Sequence, residues 1–313
     1  MLKKFDRILL FIGCICYAAC KLNPDSSRDY TDKNKTYKLH LNPVVGSKYH
    51  FDISNQSEVK IEVDGKKINN VNRSNAGVFY KVDKDSLDNV LLTINYDKIH
   101  VYTKTGETET EIDAGQAKAT LNPAERALGY LKDAPITATI SPLGEVKKIT
   151  GYDAIGDKII ASFAANDVTG KKMAQEQWNK TIGEGLVKKN MDDLFRIFPD
   201  SAAHIGDSWQ LTSQNTGAGL QVKNIFRLKA INGDVAIIQS EGIIMPDNSE
   251  TTLANAMTDL KGKQYGDYEI DTKTGMLISC KQKANVEGTI STMGQEVPVK
   301  IEIIVKIVGH KVK

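Results

Sequence analysis

The stretch Val297-Pro-Val-Lys-Ile-Glu-Ile-Ile-Val-Lys-Ile-Val308 reads as a β-strand. Val and Ile dominate it, and β-branched side chains fit a pleated, half-buried surface. Earlier in the chain, Tyr49, Phe51 and Ile53 alternate with polar residues, and so do Val59, Ile61 and Val63 before the turn Asp64-Gly65. Similar runs cover residues 77–82, 90–96, 99–103 and 136–140, then 208–212, 221–229, 235–242, 265–270 and 276–287. Alternation at period two means one buried and one wet face, which suits antiparallel sheet. Asn232-Gly233 between two runs predicts a hairpin.

The period changes between Tyr152 and Phe198. Ile155, Ile159, Ile160 and Phe163 are spaced for one helix face. Met173, Gln177 and Trp178 predict a second helix, and Leu186, Leu194, Ile197 and Phe198 a third. Gly170 and Gly183-Glu184-Gly185 punctuate the segment. A further helix is expected from Pro123 to about residue 132, capped by Asn122. The expected fold class is α+β, mainly β: a curved antiparallel sheet or open barrel with a helical insertion. Two related β-halves are an option. Gly46-Ser-Lys-Tyr49 resembles Gly206-Asp-Ser-Trp209, and the turn around Gly144 resembles that around Gly275. The alternative is recurrent turn chemistry, because Gly is tolerated wherever φ is positive.

The chain of 313 residues is 41% hydrophobic and 26% charged, which excludes a wholly disordered polypeptide. Its net charge of +2 equals that of its first 19 residues, where Lys3, Lys4 and Arg7 outnumber Asp6. The remainder is neutral, so no nucleic-acid partner is expected. The same residues form a basic segment followed by an apolar run from Ile8 to Tyr17, the layout of a secretory signal. Tyr17-Ala18-Ala19-Cys20 resembles the bacterial lipobox, and the resemblance implies that Cys20 becomes the first mature residue and carries the lipid. Lys21 follows it rather than Asp, which by analogy disfavours retention in the inner membrane. The organisation expected is a signal peptide over 1–19, a tether over 20–35, a β-region over 36–150, a helical insertion over 151–198 and a second β-region over 199–313. With Cys14 and Cys16 removed, Cys280 is the remaining thiol, and its alternating surroundings read as a small strand residue.

Motifs for chemistry are absent. There is no H-E-x-x-H, paired C-x-x-C, EF-hand loop, P-loop or G-x-S-x-G elbow. His40, His50, His100, His204 and His310 are scattered. His204 and Asp207 lie three apart without a third ligand at recognisable spacing. Asp207 and Trp209 read either as a turn with a core aromatic or as a pocket mouth. Ser86 and Ser201 sit in Asp-Ser-small/apolar triplets that resemble Bacteroidota O-glycosylation sites. No catalytic, cofactor or metal residue is therefore expected, and the chain is read as a non-enzyme.

Phe198-Pro199 followed by Ile205-Gly-Asp-Ser-Trp209 resembles an uncharacterised family of Bacteroidota lipoproteins, as do the Gly-x-x-Tyr opening and Ile140-Ser-Pro-Leu-Gly-Glu-Val146. More loosely, a curved sheet with helices on a lipid anchor is similar to the LolA/LppX group of periplasmic carriers. That similarity implies acyl chains held between sheet and helices. Two functions follow as expectations. One is a membrane-anchored binding or carrier module for lipid or another apolar ligand. The other is an envelope structural or protein-interaction subunit. The expected location is the cell envelope, anchored at the outer membrane on its periplasmic face or at the cell surface.

Overall fold

The computed structural model describes residues 35–63, 65–84, 89–114, 128–132, 134–163, 184–215, 220–246, 259–292 and 295–313. Cys20, the signal and most of the tether lie outside them, as do Ser86, Asn122, Pro123 and the helix expected around Met173–Trp178. Six strands come first: β1 (Lys48–Val63), β2 (Lys66–Asp83), β3 (Val90–Thr105), β4 (Thr108–Asp113), β5 (Ile136–Ile140) and β6 (Val146–Thr150). Helices α1 (Tyr152–Phe163) and α2 (Glu184–Phe195) follow. Then come β7 (Ser208–Asn215), β8 (Leu220–Asn232), β9 (Val235–Pro246), β10 (Lys261–Asp271), β11 (Leu277–Thr292) and β12 (Gln295–Val312). Residues 128–132 are also helical.

All twelve strands form one antiparallel sheet in the order β6-β5-β3-β2-β1-β12-β11-β10-β9-β8-β7, with β4 also on β3. β3 has two partners on one edge: Val90–Ile94 pairs with β5 and His100–Thr105 with β4. β12 returns to pair with β1 from Lys48↔Val312 to Ile61↔Val299. The sheet is thus two meanders joined through β1 and β12, with β6 and β7 as its end strands and β4 beside β3, and it does not close on itself. The helices occupy the chain between those end strands, and α2 touches both.

Three contacts join α2 and the residues after it to the edges. Asp192 Oδ1 accepts the Val146 backbone N–H of β6 at 2.7 Å. The Trp209 indole N–H of β7 donates to the Ile197 carbonyl at 3.1 Å. Gly144, in the β5–β6 turn, has φ +85°, and a Cβ there would lie 1.9 Å from the Phe195 carbonyl oxygen. Phe195 is fully buried and meets Tyr80 of β2 edge-on at 5.8 Å.

The two halves share their local geometry. Gly46 N–H donates to Val82 O and Val82 N–H to Ser47 O, at 2.8 and 2.9 Å. Gly206 N–H donates to Leu228 O and Leu228 N–H to Asp207 O, at 2.8 and 3.1 Å. β1 therefore enters its hairpin with β2 as β7 enters its hairpin with β8. The backbone before β7 crosses the β5–β6 turn at Gly144. The backbone before β1 crosses the β10–β11 turn, where a Cβ on Gly275 would lie 2.1 Å from His40 O. In this arrangement β1, β2, β3, β5 and β6 correspond to β7, β8, β9, β10 and β11. β12 fills one seam between the halves and α2 the other.

The inner face carries the core. One cluster joins Leu39, Leu41, Tyr152, Ile155, Met191 and Phe195 to inward residues of strands from both halves. A second comprises Val59, Ile61, Ile301, Val286, Ile244, Leu260 and neighbours. The outer face carries Lys60, Glu58, Lys283, Glu302, Lys300 and Glu287, several of them ion-paired. A membrane-spanning barrel presents apolar residues outward, and this sheet does the reverse. No described helix is long and apolar enough to cross a membrane.

Candidate functional site

Strand register places polar residues at one level of the inner face. Reading across the sheet, Thr103 pairs with Asn72, Asn72 with Ser57, Ser57 with Ile303, Ile303 with Ala284, Ala284 with Gln264, Gln264 with Gly242 and Gly242 with Asn224. The next row, two residues along each strand, runs Ser74, Asn55, Val305, Gln282, Gly266, Ser240 and Phe226. The rows on either side are mostly apolar. One holds Ile99, Ala76, Ile53, Ile307, Cys280, Tyr268, Ile238 and Leu228. The other holds Asn70 among Val59, Ile301, Val286, Gly262, Ile244 and Val222. Two polar rows thus form a girdle between the apolar clusters.

The girdle is partly self-satisfied. Gln264 Nε2 donates to Asn224 Oδ1 at 2.5 Å, and Gln282 Nε2 donates to the Tyr268 hydroxyl at 2.5 Å. Gly242 makes the first contact feasible, since a Cβ there would stand 2.3 Å from Asn224 Oδ1 and 2.7 Å from Gln264 Cγ. Burial pushes the Tyr268 phenol well above its ordinary pKa, so it stays neutral. Ser57, Gln264 and Asn70 are 1%, 2% and 3% exposed. Yet Ser57 Oγ, Gln264 Oε1 and both amide atoms of Asn70 have no hydrogen-bond partner among the described residues. Buried polar groups are paired in the great majority of proteins, and each exception calls for an explanation.

The residues singled out in the sequence go elsewhere. Asp207 is exposed and closes its own turn, with Oδ2 accepting the His204 backbone N–H at 2.8 Å and facing His204 Nδ1 at 3.2 Å. The backbone bond, followed by the His204 ring, holds its carboxyl below the usual range. Trp209 is half-buried and stacks on Phe226 at 6.0 Å. Asp207 thus closes the turn before β7, and Trp209 ties β7 to the residues after α2. Cys280 is buried beside Tyr268 on the inner face. His50 faces Asp97 at 3.2 Å and His100 faces Glu111 at 2.7 Å, both on the outer face. Among the described residues no group of three His, Cys, Asp or Glu side chains is placed to hold a metal ion. Ser201 lies on an exposed bend. Of the whole set, Cys280 lies beside the girdle and Trp209 pairs with Phe226 at the β7 end of its second row.

The family of unknown function DUF6263 matches residues 88–277, more than half of the chain. The chain belongs to the DUF6263 family. The match spans β3 to β10 and includes both Ile140–Val146 and the Phe198-to-Trp209 segment that latches α2 to β7. No curated protein matches this DUF6263 chain. Solved structures that align with it include DynF from the dynemicin biosynthesis pathway of Micromonospora chersina, at 7% identity over 93% of this chain and 92% of that one, with TM-score 0.21. A protein with a YmcC-like fold from Bacteroides fragilis aligns at 10% identity over 85% and 99%, with TM-score 0.20. The outer membrane protein OprG of Pseudomonas aeruginosa aligns at 7% identity over 87% and 99%, with TM-score 0.20. At such scores these alignments carry no argument about this DUF6263 protein.

Proposed function

We propose that this DUF6263 protein is a bacterial lipoprotein, tethered to the outer membrane through Cys20, whose sheet is a non-catalytic binding or carrier module for lipid or another apolar ligand. The observation that carries this reading is the second apolar cluster. Apart from Leu260 it consists of strand residues only, and no described helix packs on it. The α1 and α2 side chains pack into the first cluster, whereas the second is built by the strands of both halves and buried by them, Val59, Ala284 and Ile303 being 0% exposed. The charged outer face supports it further, because a sheet wet outside and apolar inside suits a water-exposed container. The anchor rests on the basic segment, short apolar run and small residues before Cys20. Two or more acyl chains hold a soluble body at a membrane stably.

Two measurements test this. Labelled palmitate should enter the wild-type chain in cells and not Cys20→Ala. A fluorescent acyl probe should pass between donor and acceptor vesicles faster in the presence of the chain. Absence of acyl uptake contradicts the carrier reading whatever the anchor result.

A second reading, an envelope interaction subunit, is favoured by one outer-face observation. Ile225, Ile243 and Tyr265 are 52%, 57% and 40% exposed on neighbouring strands β8, β9 and β10. Glu241 pairs with both Ile225 and Tyr265, so the three form a small apolar patch among charges.

A further inference from the structure

We propose that the girdle, with Asn70 in the row bordering it, is the part of the binding site that recognises a neutral hydrogen-bonding linkage in the ligand, the uncharged ester or amide of a monoacylated lipid. The inference rests on the carrier reading and deepens it by naming the ligand class. Three observations carry it. Asn70, Ser57 and Gln264 are almost completely buried, and each has at least one polar atom without a partner among the described residues. All three side chains lie on the inward phase of their strands, in adjacent rows, as register with buried Val59, Ile303 and Ala284 fixes. The two polar rows hold Asn, Gln, Ser and Thr among apolar residues and Gly, and no Asp, Glu, Lys, Arg or His.

The chemistry of the ligand follows from that inventory. Asn70 offers a donor and an acceptor, Ser57 a hydroxyl, and Gln264 an acceptor, its amide nitrogen being engaged by Asn224. An ester carbonyl accepts from the Asn70 amide or the Ser57 hydroxyl, and a glycerol hydroxyl or amide N–H donates to Gln264 Oε1. A carboxylate or phosphate would bring a charge into a layer without a counter-ion, where burial of an unpaired charge is strongly unfavourable. Inward glycines let neighbouring groups approach closely at the same level: a Cβ on Gly266 would lie 2.7 Å from Ser240 Oγ, and one on Gly262 2.3 Å from the Asn285 carbonyl oxygen. The apolar rows on either side accept hydrocarbon, so a molecule with a neutral polar group along an apolar body matches the sequence of layers.

The test uses the full chain in phosphatidylcholine vesicles and three photoreactive probes: an oleoyl monoglyceride, oleate and an unfunctionalised long-chain hydrocarbon. Crosslinked peptides are mapped by mass spectrometry. The monoglyceride should label peptides of β2 and β10 at least about tenfold more than oleate, the factor expected from one well-made hydrogen bond in a buried site. In Asn70→Leu and in Gln264→Met the preference should fall towards unity while hydrocarbon labelling persists. The melting temperature of Asn70→Leu should hold or rise, because an unpartnered amide has been replaced by a side chain of similar size. Equal labelling by all three probes, unchanged in the variants, overturns the girdle assignment and leaves the carrier reading standing. A lowered melting temperature in Asn70→Leu would mark the amide as structural and also overturns it. Absence of inward labelling by any probe overturns both readings.

Discussion

Gly144→Ala probes the seam where α2 holds the two end strands of the sheet together. At φ +85° an L-residue costs about 1–2 kcal/mol relative to Gly. The added Cβ would also lie 1.9 Å from the Phe195 carbonyl oxygen, and that obstacle is backbone, not a flexible side-chain tip. Relief requires the β5–β6 turn and the end of α2 to part by more than an ångström. That movement strains the 2.7 Å bond between Asp192 and Val146 N–H, worth about 1.5–3 kcal/mol as a bond to a charged group. A total near 3–4 kcal/mol is expected from these two contributions, partly retained contacts included. Gly233→Ala is the matched control. Its φ is +59° with nothing within 4 Å of the new Cβ, so only the conformational part, about 1–2 kcal/mol, applies. Urea unfolding of both variants, read at equal m-values, gives the difference. Amide exchange at Val146 should accelerate in Gly144→Ala alone. Equal destabilisation of the two variants, with Val146 protection intact, would refute the latch.

Other expectations follow from the same contacts. Burial holds the Asp192 carboxyl above its ordinary pKa, outweighing the Val146 bond. A raised pKa means the folded state binds the proton more tightly, so this group's contribution is fullest in acid and is lost as pH rises through the folded value. Asp192→Asn, which keeps an acceptor for Val146, should therefore be neutral or stabilising in urea melts at pH 7, with the gain shrinking as pH falls below the carboxylate range. Asp192→Ala should destabilise by about 1–3 kcal/mol by stranding the Val146 N–H. Trp209→Phe removes the indole bond to Ile197 and should lower stability by about 1–2 kcal/mol in the same assay, without altering acyl-probe uptake. Gly242→Ala should disrupt the Gln264–Asn224 pair, and the acyl-transfer assay should show slower uptake than wild type.

Much of the sheet was legible in the sequence because one face is apolar. The Val297–Val308 stretch became the inner seam strand β12, and Asn232-Gly233 became the β8–β9 turn. Gly46 and Gly206, matched by sequence, occupy equivalent positions at the openings of β1 and β7. Legibility failed where inward positions are polar. Tyr49–Ile53 and Val59–Val63 read as two runs, yet β1 is continuous and its missing inward positions are Asn55 and Ser57. The first half of β2 was not read as a strand, because Asn70, Asn72 and Ser74 face inward there. β4 is exposed throughout its Thr-Glu-Thr-Glu stretch and offers no hydropathy contrast. The signal that would have found the girdle is phase: both apolar runs of β1 fall on odd residues, so the polar pair between them shares their face. Asp207 and Trp209 read as a turn with a core aromatic or as a pocket mouth, and the structure shows the turn, which feeds the edge strand β7.

Native mass spectrometry of the chain recovered from a bacterial envelope, with organic extraction of whatever accompanies it, tests the central claim most directly. The account predicts a stoichiometric uncharged acyl lipid released on unfolding, in addition to the chains covalently held at Cys20. A protein mass explained by the polypeptide and its anchor alone, unchanged after incubation with envelope lipids, would contradict it.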